Sequence, residues 1–162
     1  MTAYRWLAPL ALTLCLEPAC DPQTCTLVGC GSTLDLVVEG EDGGALPDST
    51  YEIVLELDGA VYSTACGSPE PGMLMCEPVE GPSTFVIEAV GTTTGTISMS
   101  VFSSEGGGEG PKTARLTIVA GDAPLVDETW DVTYETDAPN GEECGPICYS
   151  ATETLAVTIE EG

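Results

Sequence analysis

The residues best placed to do chemistry in this chain are its cysteines. Six of them fall into close pairs, Cys25 with Cys30, Cys66 with Cys76, and Cys144 with Cys148. In an oxidising compartment such thiols become disulfides, and a bridge closing a loop this short contributes roughly 2–3 kcal/mol. Six cysteines allow about fifteen pairings, which spacing does not separate. Cys66–Cys76 is the best supported, because it would staple the second strand of an expected hairpin to the segment that follows. A competing use is a four-thiolate zinc site from Cys25, Cys30, Cys144 and Cys148. Against it stand the missing Cys-x2-Cys spacing and the signs of export described below.

The absence of histidine removes much other chemistry. Without it there is no imidazole acid–base catalysis, no Ser-His or Cys-His nucleophile pair and no His-ligated metal. The chain carries no Gly-x-Ser-x-Gly elbow, phosphate-binding glycine loop or dinucleotide fingerprint. Lys112 is the only lysine, so a Ser-Lys dyad would rest on one residue. Paired carboxylates could hydrolyse glycosides. With 27 acidic residues, however, carboxylate pairs are unavoidable and identify nothing. The expectation is a protein that is not an enzyme and uses no cofactor.

Calcium is the remaining ligand to weigh. Acids cluster in turn-rich stretches at Glu39, Glu41, Asp42 and Asp48, and again at Asp122, Asp127, Asp137, Glu142 and Glu143. Calcium takes about six to eight oxygens, which acidic, glycine-rich turns can supply. No EF-hand or nonapeptide pattern is present, so the metal question stays open, with solvated turn acids the expectation. The formal charge of −24 is dispersed, with no run beyond two adjacent acids. Such a surface repels a phosphate backbone and excludes nucleic acid as a partner. Cations or a basic envelope partner are what it could attract.

The elements that must position these residues are strands. From Tyr51 to Leu57 the apolar side chains Tyr51, Ile53, Leu55 and Leu57 alternate with Glu52, Val54 and Glu56, the period of a half-buried strand. Asp58-Gly59 then suits a type I′ turn. That turn would set Leu57 opposite Ala60, Leu55 opposite Tyr62, Ile53 opposite Thr64 and Tyr51 opposite Cys66. Further strands are expected over 33–39, 84–90, 96–102, 114–119, 128–135 and 151–160. Residues 105–111 read as the most flexible stretch. A sequence similar to 46–58 returns at 125–137, as an internal duplication would produce. Together these predict an all-β fold, an antiparallel β-sandwich of about eight or nine strands stapled by disulfides, over residues 33–162.

The N-terminus reads as an export signal over residues 1–19, with Arg5 ahead of the apolar core at 6–16. That core is too short to span a bilayer as a helix. Cys20, after Ala19, resembles the lipid-attachment cysteine of bacterial lipoproteins. That family places Leu three residues before the cysteine, whereas here Glu17 holds the position and Leu16 lies one place earlier. Removing Cys15 with the signal and acylating Cys20 leaves an even set of six cysteines. Residues 20–32 would then be a tether, and the membrane a partner through the lipid anchor.

Residues 40–59 combine a glycine-rich turn, Leu46-Pro47-Asp48, an aromatic strand and the Asp58-Gly59 hairpin. This stretch resembles repeats in immunoglobulin-like and transthyretin-like bacterial surface domains. Residues 139–148, with Pro139-Asn140-Gly141 and the Cys144–Cys148 loop, resemble a block in exported bacterial proteins of no assigned function. The resemblance implies an exported lipoprotein of the bacterial cell envelope, either membrane-anchored or free in the periplasm or outside the cell. It would act as a non-catalytic binding or structural module. The alternative from the acidic turns is a calcium-dependent adhesion or carbohydrate-binding module.

Overall fold

The computed structural model describes residues 31–71, 73–93, 95–103, 109–141, 144 and 147–157. Ten strands run through them: β1 (Thr33–Gly40), β2 (Thr50–Leu57), β3 (Ala60–Glu70), β4 (Met73–Cys76), β5 (Phe85–Gly91), β6 (Ile97–Ser103), β7 (Thr113–Ala120), β8 (Ala123–Asp131), β9 (Glu135–Asp137) and β10 (Cys148–Val157). They form two five-stranded sheets, ordered β5-β6-β1-β10-β9 and β4-β3-β2-β7-β8. The sheets share one apolar core, so the fold is the expected all-β sandwich. Ten strands replace eight or nine because β4 and β9 are too short to show a side-chain period. Pairing is antiparallel except between β1 and β10, which run parallel over Thr33↔Ser150 to Gly40↔Val157.

The hairpin forms in the expected register, with Tyr51↔Cys66, Ile53↔Thr64, Leu55↔Tyr62 and Leu57↔Ala60 paired. Asp58 and Gly59 both take positive φ, 49° and 83°, as a type I′ turn requires. Tyr51, Ile53, Leu55 and Leu57 are buried and Glu52 is exposed, while Glu56 is half-buried. Its register partner across the sheet is Arg115. β2 lies between β3 and β7, so its whole apolar face enters the core. In the other sheet Leu34, Leu36 and Val38 of β1 are completely buried. The hydroxyl of Tyr51 donates to the Pro47 carbonyl, which folds the Leu-Pro-Asp segment back onto the strand it precedes.

The two look-alike stretches take different places in the fold. Residues 46–58 supply one central strand, but 125–137 are split between β8 in one sheet and β9 in the other. β8 differs from β2 in how little of it is buried. Val126 is buried opposite Ile118, but the register partner of the buried Leu116 is Glu128, which is exposed. With an exposed acid at that position, β8 buries only Val126 and lies at the sheet edge. The expected strand over 128–135 is corrected accordingly, since β8 ends at Asp131 and residues 132–134 cross between sheets. The stretch expected to be most flexible is also corrected at its end, because Gly110 and Pro111 are buried. Residues 105–108 and 158–160, with the signal segment, lie outside the described residues.

The void between the sheets, lined by Ile53, Leu55, Tyr62, Ile87 and Met99, has about 10 Å³. That is at most the room of one water molecule, so side chains fill this part of the core. Truncating Leu55, 2% exposed, should therefore cost about 2–5 kcal/mol of stability. Glu56→Ala should change it by less than about 0.5 kcal/mol. Urea denaturation of the two variants checks this, and equal losses would contradict the packing described.

Candidate functional site

One end of the sandwich gathers short segments from both sheets. They are the β2–β3 turn, residues 109–112 ahead of β7, residues 132–134 between β8 and β9, and the starts of β5 and β10. Two grooves open there. One, about 540 Å³, is lined by Glu109, Lys112, Thr113, Asp131, Val132, Thr133, Tyr134, Thr136 and Tyr149. The other, about 580 Å³, is lined by Asp58, Ser83, Thr84, Phe85, Ser103, Glu109, Gly110 and Lys112. Glu109 and Lys112 line both, so the two grooves are neighbours on either side of that pair.

A small set of hydrogen bonds holds this end together. Asp58, the turn acid of the hairpin, accepts through Oδ1 from the backbone N–H of Lys112 at 3.0 Å and of Thr113 at 2.9 Å. It also accepts from Thr113 Oγ1 at 3.1 Å. In return the Asp58 N–H donates to the Thr113 carbonyl at 3.1 Å. The Val132 N–H donates to the Lys112 carbonyl at 2.8 Å, tying the crossing segment to the same point. On the far side, the Phe85 N–H donates to the Tyr62 hydroxyl at 3.1 Å. Asp58 thus serves two ends, closing one hairpin and seating the first residues of β7. Its turn role is plain from the Asp-Gly dipeptide, but its second role needs the tertiary approach of Lys112 and Thr113.

Tyr134 and Tyr149 form the aromatic wall, with ring centroids 6.4 Å apart and planes at 89°. The Tyr134 hydroxyl donates to the Pro111 carbonyl at 3.0 Å. Gly110 makes room for that ring: a Cβ there would lie 2.2 Å from the Tyr134 hydroxyl oxygen. Burial, then the negative charges of Asp58 and Glu109, push the Tyr134 phenol up to about 12. It therefore stays a neutral donor at physiological pH. Neither tyrosine stands out in the sequence as a site residue, because single aromatics recur in any strand-rich chain.

Of the residues singled out from the sequence, Cys66 and Cys76 form a disulfide across β3 and β4, where they are register partners. Cys144 and Cys148 are also disulfide-bonded. Cys20, Cys25, Cys30, Glu142 and Glu143 lie outside the described residues. The remaining turn acids are not drawn together. Asp48 accepts from Ser68 Oγ at 3.1 Å, and Asp127 pairs with Arg115 through two bonds of 2.9 and 3.0 Å. That pair is half exposed to solvent, which keeps its contribution small. Glu39 is on β1, Glu41 and Asp42 are in a 3-10 turn, Asp122 is in the β7–β8 turn and Asp137 is on β9. Among the described residues no three Cys, Asp or Glu side chains converge as metal ligands. Among them also, Trp130 Nε1 is a buried donor with no acceptor. No helix among them is long and apolar enough to cross a membrane.

No protein-family model, no curated protein and no solved structure matches the chain. What the fold and site define is a class, a disulfide-stapled all-β sandwich with a grooved end.

Two measurements check the geometry of that end. Asp58→Ala should lose about 1–2 kcal/mol, since three donors lose a charged acceptor. Asp122→Ala, a turn acid in the β7–β8 connection, should be near neutral in the same urea titration. A phenol at its ordinary 10.0 when unfolded and raised to about 12 when folded leaves stability unaffected below pH 10. Above that the unfolded chain loses the proton first, so stability falls as pH climbs toward 12. Tyr134→Phe should remove that part of the alkaline decline, read from melting temperatures across this range.

Proposed function

We propose that this protein is an exported, lipid-anchored module of the bacterial cell envelope that binds a partner without catalysis and presents its grooved end for contact. The carrying observation is the oxidation of Cys66, Cys76, Cys144 and Cys148. Disulfides of this kind persist outside the reducing cytosol. Together with the Arg5-led apolar segment, they support export. Acylation at Cys20 accounts for the even set of cysteines left to pair, and residues 20–32 serve as the tether to the membrane.

Binding, and not chemistry, fits the way the side chains are used. Asp58, Asp48, Asp35 and Asp127 are engaged as hydrogen-bond acceptors for their own chain. The interior is packed and the concave surface lies at the strand ends, where loops of a sandwich ordinarily carry recognition. Metabolic labelling with a fatty-acid analogue tests the anchor. The wild type should incorporate label and Cys20→Ser should not. Label that persists in Cys20→Ser but vanishes in Cys15→Ser would move the anchor and refute the assignment.

A further inference from the structure

We infer that the two neighbouring grooves at the end of the sandwich together form a binding trough for a neutral, hydroxyl-rich oligosaccharide, stacked on Tyr149 and bridged by Glu109 and Lys112. The inference rests on the binding-module reading and names the ligand class of its grooved end.

Size and shape come first. Each groove, about 540 and 580 Å³, falls within the range that holds a small ligand. Both open to solvent and Glu109 and Lys112 line both, so a ligand longer than either groove can reach from one to the other over that pair. An extended chain of sugar rings can lie along such a trough with its ends free.

Chemistry then separates the candidates. A sugar presents C–H faces to aromatic rings and hydroxyls that both donate and accept. The first groove offers the rings of Tyr134 and Tyr149, the hydroxyls of Thr133 and Thr136, carboxylates at Glu109 and Asp131, and one ammonium at Lys112. Acceptors and a donor stand side by side, and a neutral polyol satisfies both. An anionic ligand would meet Glu109 and Asp131 within a chain of net charge −24. A polycation would have to seat itself over Lys112, which lines both grooves. Neither charged class matches the mixture.

Preorganisation adds to this. Tyr134 is pinned through Pro111, its ring sets the edge of Tyr149, and Asp58 fixes the backbone of Lys112 and Thr113. The Tyr134 ring and the backbone at Lys112 and Thr113 are therefore in place before a ligand arrives, which lowers the cost of binding.

The test is a titration of the isotopically labelled mature protein followed by backbone amide resonances. The probes are cellohexaose, maltohexaose and N-acetylated chitohexaose, with hexalysine and hexagalacturonate as charged comparisons. At least one neutral hexaose should give saturable shifts at Lys112, Thr133 and Tyr149. Tyr149→Ala should weaken that binding about tenfold or more, the scale of losing an aromatic anchor. Tyr149→Phe, which keeps the ring, should stay close to wild type and guards against simple misfolding. Silence of the groove toward all three hexaoses overturns the inference, as does binding that Tyr149→Ala leaves unchanged. Occupation of the groove by hexalysine or hexagalacturonate instead also overturns it, while leaving a binding module in place. Acylation at Cys20 is read separately, so failure of the anchored-module reading is distinguishable from failure here.

Discussion

The interaction on which this structure depends is the parallel pairing of β1 with β10. β1 lies between β6 and β10, paired with β10 over its full length and with β6 over Thr33↔Phe102 to Val38↔Ile97. Without it the first sheet would split into a three-stranded β5-β6-β1 piece and the short β9–β10 hairpin, and an isolated hairpin is marginal in water. The two strands come from opposite ends of the described chain, so the closing entropy precedes the reward. Folding should accordingly be slow for the domain's size, as for other sandwiches dominated by distant pairings. The grooved end inherits this dependence. Tyr149 is carried by β10, whereas Asp58 and Lys112 belong to the other sheet, so the trough exists only once both sheets have docked.

The many acids acquire a structural meaning at the free edges. β8 is the outer strand of its sheet, and it carries Pro124, Asp127, Glu128 and Asp131. Its register also shifts between Ile118 and Val119 of β7. β9 covers only Cys148 to Ser150 of β10. In the remainder of β10 an inward position between Ala151 and Leu155 is taken by Glu153, half-buried and opposite Leu36 in register. Proline, a register irregularity and inward-pointing charge are the devices by which exposed edges avoid pairing with another chain. On the opposite side the sheets approach each other instead. There a Cβ on Gly91 of β5 would lie 2.4 Å from the backbone of Leu74 in β4. The corner closes because that residue is glycine.

Much of the architecture is legible in the chain itself. Period-two alternation at Leu34-x-Leu36-x-Val38 and Tyr51-x-Ile53-x-Leu55-x-Leu57 determines two strands and the face each buries. Asp58-Gly59 determines a hairpin and, through it, the register that brings Tyr51 opposite Cys66. Cys66 and Cys76 follow, since a strand leaving that hairpin returns Cys76 within reach of its partner. What tertiary structure decided is which strands become neighbours, because backbone N–H and C=O groups carry no side-chain identity and pair with any suitable edge. Local pattern therefore does not reveal that β1 joins β10 in parallel, nor that the look-alike stretch at 125–137 is divided between sheets. The trough is hidden for the same reason. Asp58, Lys112, Tyr134 and Tyr149 are ordinary residues in four separate segments, and only the docking of two sheets makes them a surface.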